Sequence, residues 1–189
     1  MRRFMASMLI LGGALSTPAA AQKRGPAWVV GVAATLGSGW QFEGADIGVA
    51  RPIGLGPLRF ASVIGRFGTF QDEGGFLSGS QGFAAALALA AQTGPVPILE
   101  VGSEQSPISI ALDLTFEVSG YVASKPPIGF PGGSWLGLAF LPGIRTVTTD
   151  TFGASFMVGP TVFIGSETDV RAFLGIRFEI PVARGSPAP

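Results

Sequence analysis

The stretch TDVRAFLGIRFEIPV, residues 168–182, decides the fold. Apolar side chains occupy every second position from Val170 to Val182, and the charged side chains fall between them, at Asp169, Arg171, Arg177 and Glu179. A period of two places alternate side chains on opposite faces of a strand, whereas a helical period would scatter the apolar ones around the axis. Residues 168–182 are therefore predicted to form a strand with one apolar and one polar face.

The same alternation recurs along the chain. Pro107–Val122 repeats it over 16 residues, and both stretches exceed the five or six residues of an ordinary globular strand. A tilted strand needs about 9 to 11 residues to cross hydrocarbon. Shorter or less regular alternation marks six further stretches, which bring the predicted total to eight strands: 28–36, 44–49, 57–70, 81–91, 134–147 and 151–165.

Two stretches depart from regular alternation. In Pro57–Phe70 the large residues change from even to odd positions, which predicts a β-bulge near Ala61–Val63, because one extra residue restores a common face. Residues 93–106 are long for a turn and contain Pro95 and Pro97. They are interpreted either as an extended strand end or as a sign that the strand count is wrong.

The composition excludes several classes of function. The chain has 189 residues, of which 13% are charged and 29 are glycine, and it contains no histidine or cysteine. Three kinds of site are therefore excluded: nucleophilic sites that use histidine, zinc sites with thiolate or imidazole ligands, and disulfides. The formal net charge of zero does not favour nucleic-acid binding. We expect that the protein is not an enzyme, that it binds no cofactor, and that it has no catalytic, cofactor-binding or metal-binding residue.

The N-terminus has the pattern of a secretory signal peptide. Arg2 and Arg3 precede a mostly apolar run from Phe4 to Leu15, and Ala19–Ala21 has the small residues of a cleavage site. The alternative, a membrane helix, needs about 20 apolar residues, more than the run contains. The predicted organisation is a signal peptide at 1–21, a barrel at 22–182 and a short tail at 183–189.

The composition of the two faces indicates their environment. The weaker face is mostly glycine, alanine, serine and threonine with isolated charges, which suits the narrow interior of an eight-stranded barrel better than a water-exposed surface. The Leu/Ile/Phe/Val face is then expected to meet lipid, where a closed barrel satisfies every backbone polar group. The predicted fold is an all-β, eight-stranded antiparallel up-and-down transmembrane β-barrel after a cleaved signal peptide. The alternative is a soluble exported lipocalin-like barrel whose apolar face binds a ligand inside.

The interior charges are predicted to pair. Alternating strand direction places Arg145 and Glu179 near one end and Asp46, Asp113 and Arg177 near the middle. Glu117 and Arg171 are then expected toward the other end. Because a buried charge needs a partner, we expect an interior salt-bridge ladder. The alternatives are an ion path or acid–base chemistry by Asp113 and Glu117, which are about 13 Å apart along a strand and too distant for a dyad.

Three aromatic residues lie near predicted strand ends: Trp28, Tyr121 and Trp135. Amphipathic rings settle at the headgroup level of a membrane, so these residues are predicted to form interfacial anchors. The alternative is ordinary packing.

In pattern and length, residues 27–182 resemble the small bacterial outer-membrane β-barrel proteins of the eight-stranded class. The resemblance implies a Gram-negative outer-membrane location and a porin-like barrel. Because side chains fill an eight-strand interior and the chain has no histidine, we expect a non-enzymatic barrel with a structural or surface-interaction role and at most a narrow pore. The resemblance also implies contact with outer-membrane lipid, periplasmic chaperones and the barrel-assembly machinery. Members often end on an aromatic residue that this machinery reads. Here residues 183–189 follow the last strand, and Phe178 is the candidate substitute.

Overall fold

The computed structural model describes residues 25–37, 39–71, 80–103, 106–125, 132–148 and 153–182. The predicted signal peptide at 1–21 and the tail at 183–189 lie outside these residues. The described part contains nine strands: β1 Ala27–Leu36, β2 Gln41–Leu55, β3 Leu58–Gln71, β4 Ser80–Thr93, β5 Val96–Ser103, β6 Ser106–Ala123, β7 Ser134–Thr148, β8 Gly153–Ile164 and β9 Thr168–Pro181.

Eight of these strands close into an antiparallel barrel. Strand β1 pairs on one side with β2 and on the other with β9, so that Trp28 lies opposite both Val49 and Ile180. Strand β4 pairs with β3 and also with β6, which completes the ring without β5. The predicted all-β, eight-stranded antiparallel barrel is confirmed. Within the described residues, no helix is long and apolar enough to cross a membrane.

The strand register sets the shape of the barrel. A path that steps from each residue to its cross-strand partner leaves β1, passes around the whole ring and returns to the line of β1 ten residues further along. This stagger corresponds to a strand tilt of about 40°. We call the end that carries Pro26, Val182 and the Gly56–Pro57 turn the terminal end, and the opposite end the loop end.

Strand β5 accounts for the long segment at 93–106. Strand β4 pairs through residues 84–92 with the second half of β6, and β5 then pairs with residues 106–112 of the same strand. Thus β4 and β5 follow one line along β6, broken only at residues 94 and 95. The interpretation as an extended strand end agrees with this arrangement, although the prolongation is a ninth strand rather than part of β4.

The bulge predicted near Ala61–Val63 is wrong. Pairing with both neighbours is continuous there, and Ala61 lies opposite Arg51 and Ala91. The irregularity lies earlier, between Leu58 and Phe60, where the register with β4 shifts. Phe60 is buried inside the barrel, so its even position is not a change of phase. Large aromatic side chains occur on both faces of this strand. Side-chain size alone therefore assigned Phe60 to the wrong face.

The two faces of the barrel are oriented as the composition predicts. Small and polar residues point inward on the eight barrel strands, as with Ala88 and Ser119, while large aliphatic and aromatic residues such as Leu89 and Phe83 are exposed outside. The interior is completed by a minority of large side chains, among them Ile64 and Leu141, which are fully buried.

Candidate functional site

Four charged residues form a closed ring near the middle of the barrel interior. Arg66 on β3 donates from Nε to Asp46 Oδ1 at 2.7 Å and from Nη1 to Glu117 Oε1 at 2.9 Å. Arg177 on β9 closes the ring by donating from Nε to Asp46 Oδ2 at 3.0 Å and from Nη2 to Glu117 Oε2 at 2.6 Å. We call Asp46, Arg66, Glu117 and Arg177 the central quartet.

The central quartet is electrically balanced and almost completely shielded. The side chains of Asp46 and Arg66 have no accessible surface, and Arg177 is the most exposed, at 6%. Two neutral groups add hydrogen bonds: Arg66 Nη1 donates to the Tyr121 hydroxyl at 2.8 Å, and Ser119 Oγ donates to Glu117 Oε1 at 3.1 Å. The free-energy cost of removing an ion pair from water is offset only when its remaining donors and acceptors are satisfied in this way.

A second polar cluster lies at the terminal end. Arg145 donates to Glu179 and, from Nη1, to Gln92 Oε1 at 2.9 Å, while Gln92 Nε2 donates to Asp113 Oδ2 at 2.6 Å. Arg145 also lies 5.3 Å from the centre of the Phe60 ring. We call Gln92, Asp113, Arg145 and Glu179 the terminal-end cluster. It has two carboxylates and one guanidinium, so its formal charge is negative.

A small cavity touches both polar groups of the interior. Its volume is about 20 Å³, and its lining includes Arg177 of the central quartet together with Gln92 and Glu179 of the terminal-end cluster. This space fits about one water molecule. The hydroxyl of Thr115, which also lines the cavity, is buried without a hydrogen-bond partner among the described residues. A water in this cavity would have polar atoms of both clusters within reach.

Aromatic side chains fill the interior at the loop end. Tyr121 and Trp135 stack in parallel with their ring centres 5.4 Å apart, and Trp40 meets the edges of Phe70 and Trp135. The buried aromatic layer consists of Trp40, Phe42, Phe70, Tyr121, Trp135 and Phe163. Arg171 pairs with Asp169 and packs against this layer, with its Cζ atom 3.7 Å from the centre of the Trp40 ring.

The interfacial anchors predicted at Tyr121 and Trp135 are therefore wrong. Both rings point inward and are 2% and 4% exposed. Their odd positions put them on the same face as Glu117 and Gly137, where they pack against Phe70 and Phe163. Trp28 is 50% exposed on the outer surface, as the prediction requires.

Glycines leave the room that these interior groups occupy. A Cβ atom on Gly44 would lie 2.7 Å from Cζ of Phe42, and one on Gly143 would lie 2.8 Å from Oδ1 of Asp113. Both distances are far shorter than a van der Waals contact. At Gly44 the backbone oxygen of Phe67 would be even closer, at 2.5 Å, so a side chain there would require the backbone to move. At Gly143 an added Cβ atom would displace the Asp113 carboxylate.

The predicted salt-bridge ladder is confirmed in part. Arg145 pairs with Glu179, and Arg177 pairs with Asp46, at the heights expected from strand direction. Glu117, however, binds Arg66 and Arg177, and Arg171 pairs with Asp169 instead.

Arg66 was missed by sequence reasoning because the phase of β3 was misread. The available signal was the even spacing of Phe60, Arg66 and Phe70, which places Arg66 inside.

Within the described residues, no group of three or more aspartate, glutamate, histidine or cysteine side chains could hold a metal ion. Asp113 and Glu117, the two carboxylates first considered for acid–base chemistry, belong to different clusters. The interior arrangement is that of a packed core in which each buried guanidinium among the described residues pairs with at least one carboxylate. Comparison with protein-family models, with curated proteins and with solved structures finds no match to this chain.

Proposed function

We propose that this protein is a non-enzymatic β-barrel of the bacterial outer membrane, exported through its signal peptide, with a structural or surface-interaction role and at most a narrow pore. The observation that carries the proposal is the apolar outer surface of the closed barrel. Six of the eight barrel strands, β1, β4 and β6 to β9, have no charged residue at an outward position. A soluble domain rarely exposes such a continuous apolar surface.

The height of this outer surface supports the same proposal. On β6, the outward residues from Leu112 to Val122 are all apolar or glycine. Ten residue steps at 3.3 Å and a tilt of about 40° give an apolar band of roughly 25 Å, the height found in outer-membrane barrels. We call the outward residues of the eight barrel strands within this band the outer belt. Trp28 on β1 lies near its terminal-end border.

The packed interior argues against a small-molecule ligand held inside the barrel. The central quartet, the terminal-end cluster and the aromatic layer occupy successive heights, and the cavity between the two polar groups holds about 20 Å³. A small-molecule site typically needs several hundred Å³. On this proposal, the apolar outer surface contacts outer-membrane lipid, and the loop end makes the contacts with other molecules. Periplasmic chaperones and the barrel-assembly machinery act during biogenesis.

Fractionation of cells and gel mobility together test the proposal. The full chain is expressed in a Gram-negative host, membranes are washed with alkaline carbonate, and samples are run on a denaturing gel with and without boiling. We expect the protein to stay with the outer membrane and to change mobility on boiling. Recovery in the soluble periplasm without a mobility change would overturn the proposal and favour the soluble ligand-binding barrel.

A pair of variants separates lipid contact from folding alone. Val118→Lys puts a charge at mid-height of the outer belt, where a lipid-facing cation costs about 2–4 kcal/mol. Thr168→Lys puts the same charge at the loop end of β9. We expect the first variant, and not the second, to lose most of its folded membrane fraction. Equal yields of folded protein in membranes would contradict lipid contact at Val118.

A further inference from the structure

A hairpin projects from the terminal end on one side of the barrel. Strand β4 ends its pairing with β3 at Thr93, opposite Leu58, whereas β5 continues beyond that point and pairs only with β6. We call β5 and residues 106–112 of β6 the terminal-end hairpin. At 3.3 Å per residue and a tilt of about 40°, it extends roughly 15 Å past the β2–β3 turn.

The two faces of the terminal-end hairpin differ in chemistry. Val96, Leu99 and Val101 lie on the outward face, where each is about half exposed. Their cross-strand partners are Leu112, Ile110 and Ile108, which give this face six aliphatic side chains in all. The opposite face carries Pro97 and Glu100, which are paired with Ala111 and Ser109.

The outward face of the hairpin is continuous with the outer belt. On β6, Ile108, Ile110 and Leu112 precede Leu114 and Phe116 on the same face, with no charged residue among them. On the opposite wall, the strands stop at Ala27 of β1 and Pro181 of β9. The apolar surface is therefore taller on the side of β5 and β6 than on the side of β1 and β9.

From this asymmetry we propose that the outward face of the terminal-end hairpin contacts lipid acyl chains of the adjacent leaflet, so that the barrel sits tilted toward β5. The inference rests on the proposed membrane location of the barrel. Five of these six aliphatic side chains are about half exposed, and Ile110 is partly buried. Removing them from water favours this contact, since the gain scales with the apolar area buried. The polar face with Glu100 remains directed away from lipid.

The free edge of β5 argues for lipid rather than a second copy of the chain as the occupant. Addition of a strand needs a regular row of backbone donors and acceptors, and β5 interrupts that row with Pro97 and with a register shift between Pro97 and Leu99. The exposed carboxylate of Glu100 adds a charge to the same short strand. These features are typical of an edge that is protected from pairing.

Depth-dependent quenching tests the inference directly. Because the chain has no cysteine, single variants Val101→Cys and Glu100→Cys can each carry one environment-sensitive fluorophore. Leu138→Cys marks the outer belt, and Leu99→Cys repeats the hairpin measurement at a second position. The full mature chain is refolded into phosphatidylcholine vesicles with or without brominated acyl chains. We expect probes at Val101 and Leu99 to lose nearly as much fluorescence as at Leu138, and the probe at Glu100 to lose little.

The belt position distinguishes failure of this inference from failure of the proposed function. Strong quenching at Leu138 with weak quenching at both Val101 and Leu99 would overturn lipid contact by the hairpin alone. Equal strong quenching at Val101 and Glu100 would overturn the one-sided contact. Absence of quenching at Leu138 in folded protein would overturn both the membrane location and the inference that depends on it.

Discussion

Arg66 is the most connected charged residue of the barrel interior. Its guanidinium donates two hydrogen bonds to Asp46, one to Glu117 and one to Tyr121, and its side chain is inaccessible to solvent. The face of the group also lies 4.9 Å from the centre of the Phe173 ring. A single side chain thus links the strands β2, β3 and β6 across the interior.

Substitution of Arg66 by methionine is expected to destabilise the barrel strongly. Met keeps the apolar stem of the side chain but leaves Asp46 and Glu117 with Arg177 as their shared cation. Breaking a buried ion network on one side typically costs about 3–5 kcal/mol. The loss is measured as the drop in the temperature or urea concentration at which the unboiled gel mobility disappears.

The control for this prediction is Arg51→Met. Arg51 is an exposed cation on β2, and surface substitutions change stability by less than about 0.5 kcal/mol. If the Arg66→Met and Arg51→Met proteins unfold at the same temperature or urea concentration, the central quartet does not stabilise the barrel.

At the scale of the element, β5 is the strand that alternation describes least well. Its residues from Val96 to Gly102 are all exposed, so neither face is marked by burial, and Pro97 interrupts the pattern. The eight barrel strands could be predicted from alternation because one face of each is packed against the interior. The position of β5 depends on pairing with β6, which is a tertiary contact.

The edge of β5 is predicted to resist strand addition through Pro97 and Glu100. Replacing both with threonine restores a backbone donor, raises β-propensity and removes a charge. We expect Pro97→Thr/Glu100→Thr protein to form dimers or larger assemblies in detergent at concentrations where the natural chain does not. Light scattering after size-exclusion chromatography measures the change.

The control for the β5 edge is Glu167→Thr, which removes an exposed carboxylate from the β8–β9 connection. A similar rise in molecular mass for this variant would attribute assembly to lost charge in general. An unchanged mass of the double variant would contradict protection by Pro97 and Glu100.

For the whole molecule, the two ends of the described barrel meet where the ring closes. Strand β1 meets β9 along ten residue pairs, and Val182 N donates to Pro26 O at 3.0 Å, so both ends of the described barrel lie together. Chain ends that lie close together at the surface are suited to circular permutation.

A circular permutant is therefore expected to fold. The barrel from Pro26 to Val182 is joined by a flexible linker of about six residues, and new ends are placed between Gly74 and Gly75, in the segment between β3 and β4. The permutant refolded in detergent should retain strand content by circular dichroism and the mobility change on boiling. Opening the chain between Leu138 and Ala139, within β7, is the matched control and should abolish both signals. Loss of both signals in the first permutant would contradict closure independent of chain order.

The sequence by itself determined the all-β class, the location of the eight barrel strands and the face that each turns outward, except on β3, where the phase was misread. These features follow from alternation between neighbouring residues, which is a local property of the chain. Pairs such as Arg145 with Glu179 were also predictable, because alternating strand direction sets approximate height.

Only the tertiary structure decided which residues meet across the interior. Arg66 and Glu117 are 51 residues apart, and their contact requires the closed ring with its ten-residue stagger. The inward positions of Tyr121 and Trp135 and the projection of β5 beyond β3 depend on the same register. A period of two specifies faces, whereas height and partner are set by how neighbouring strands slide past one another when the barrel closes.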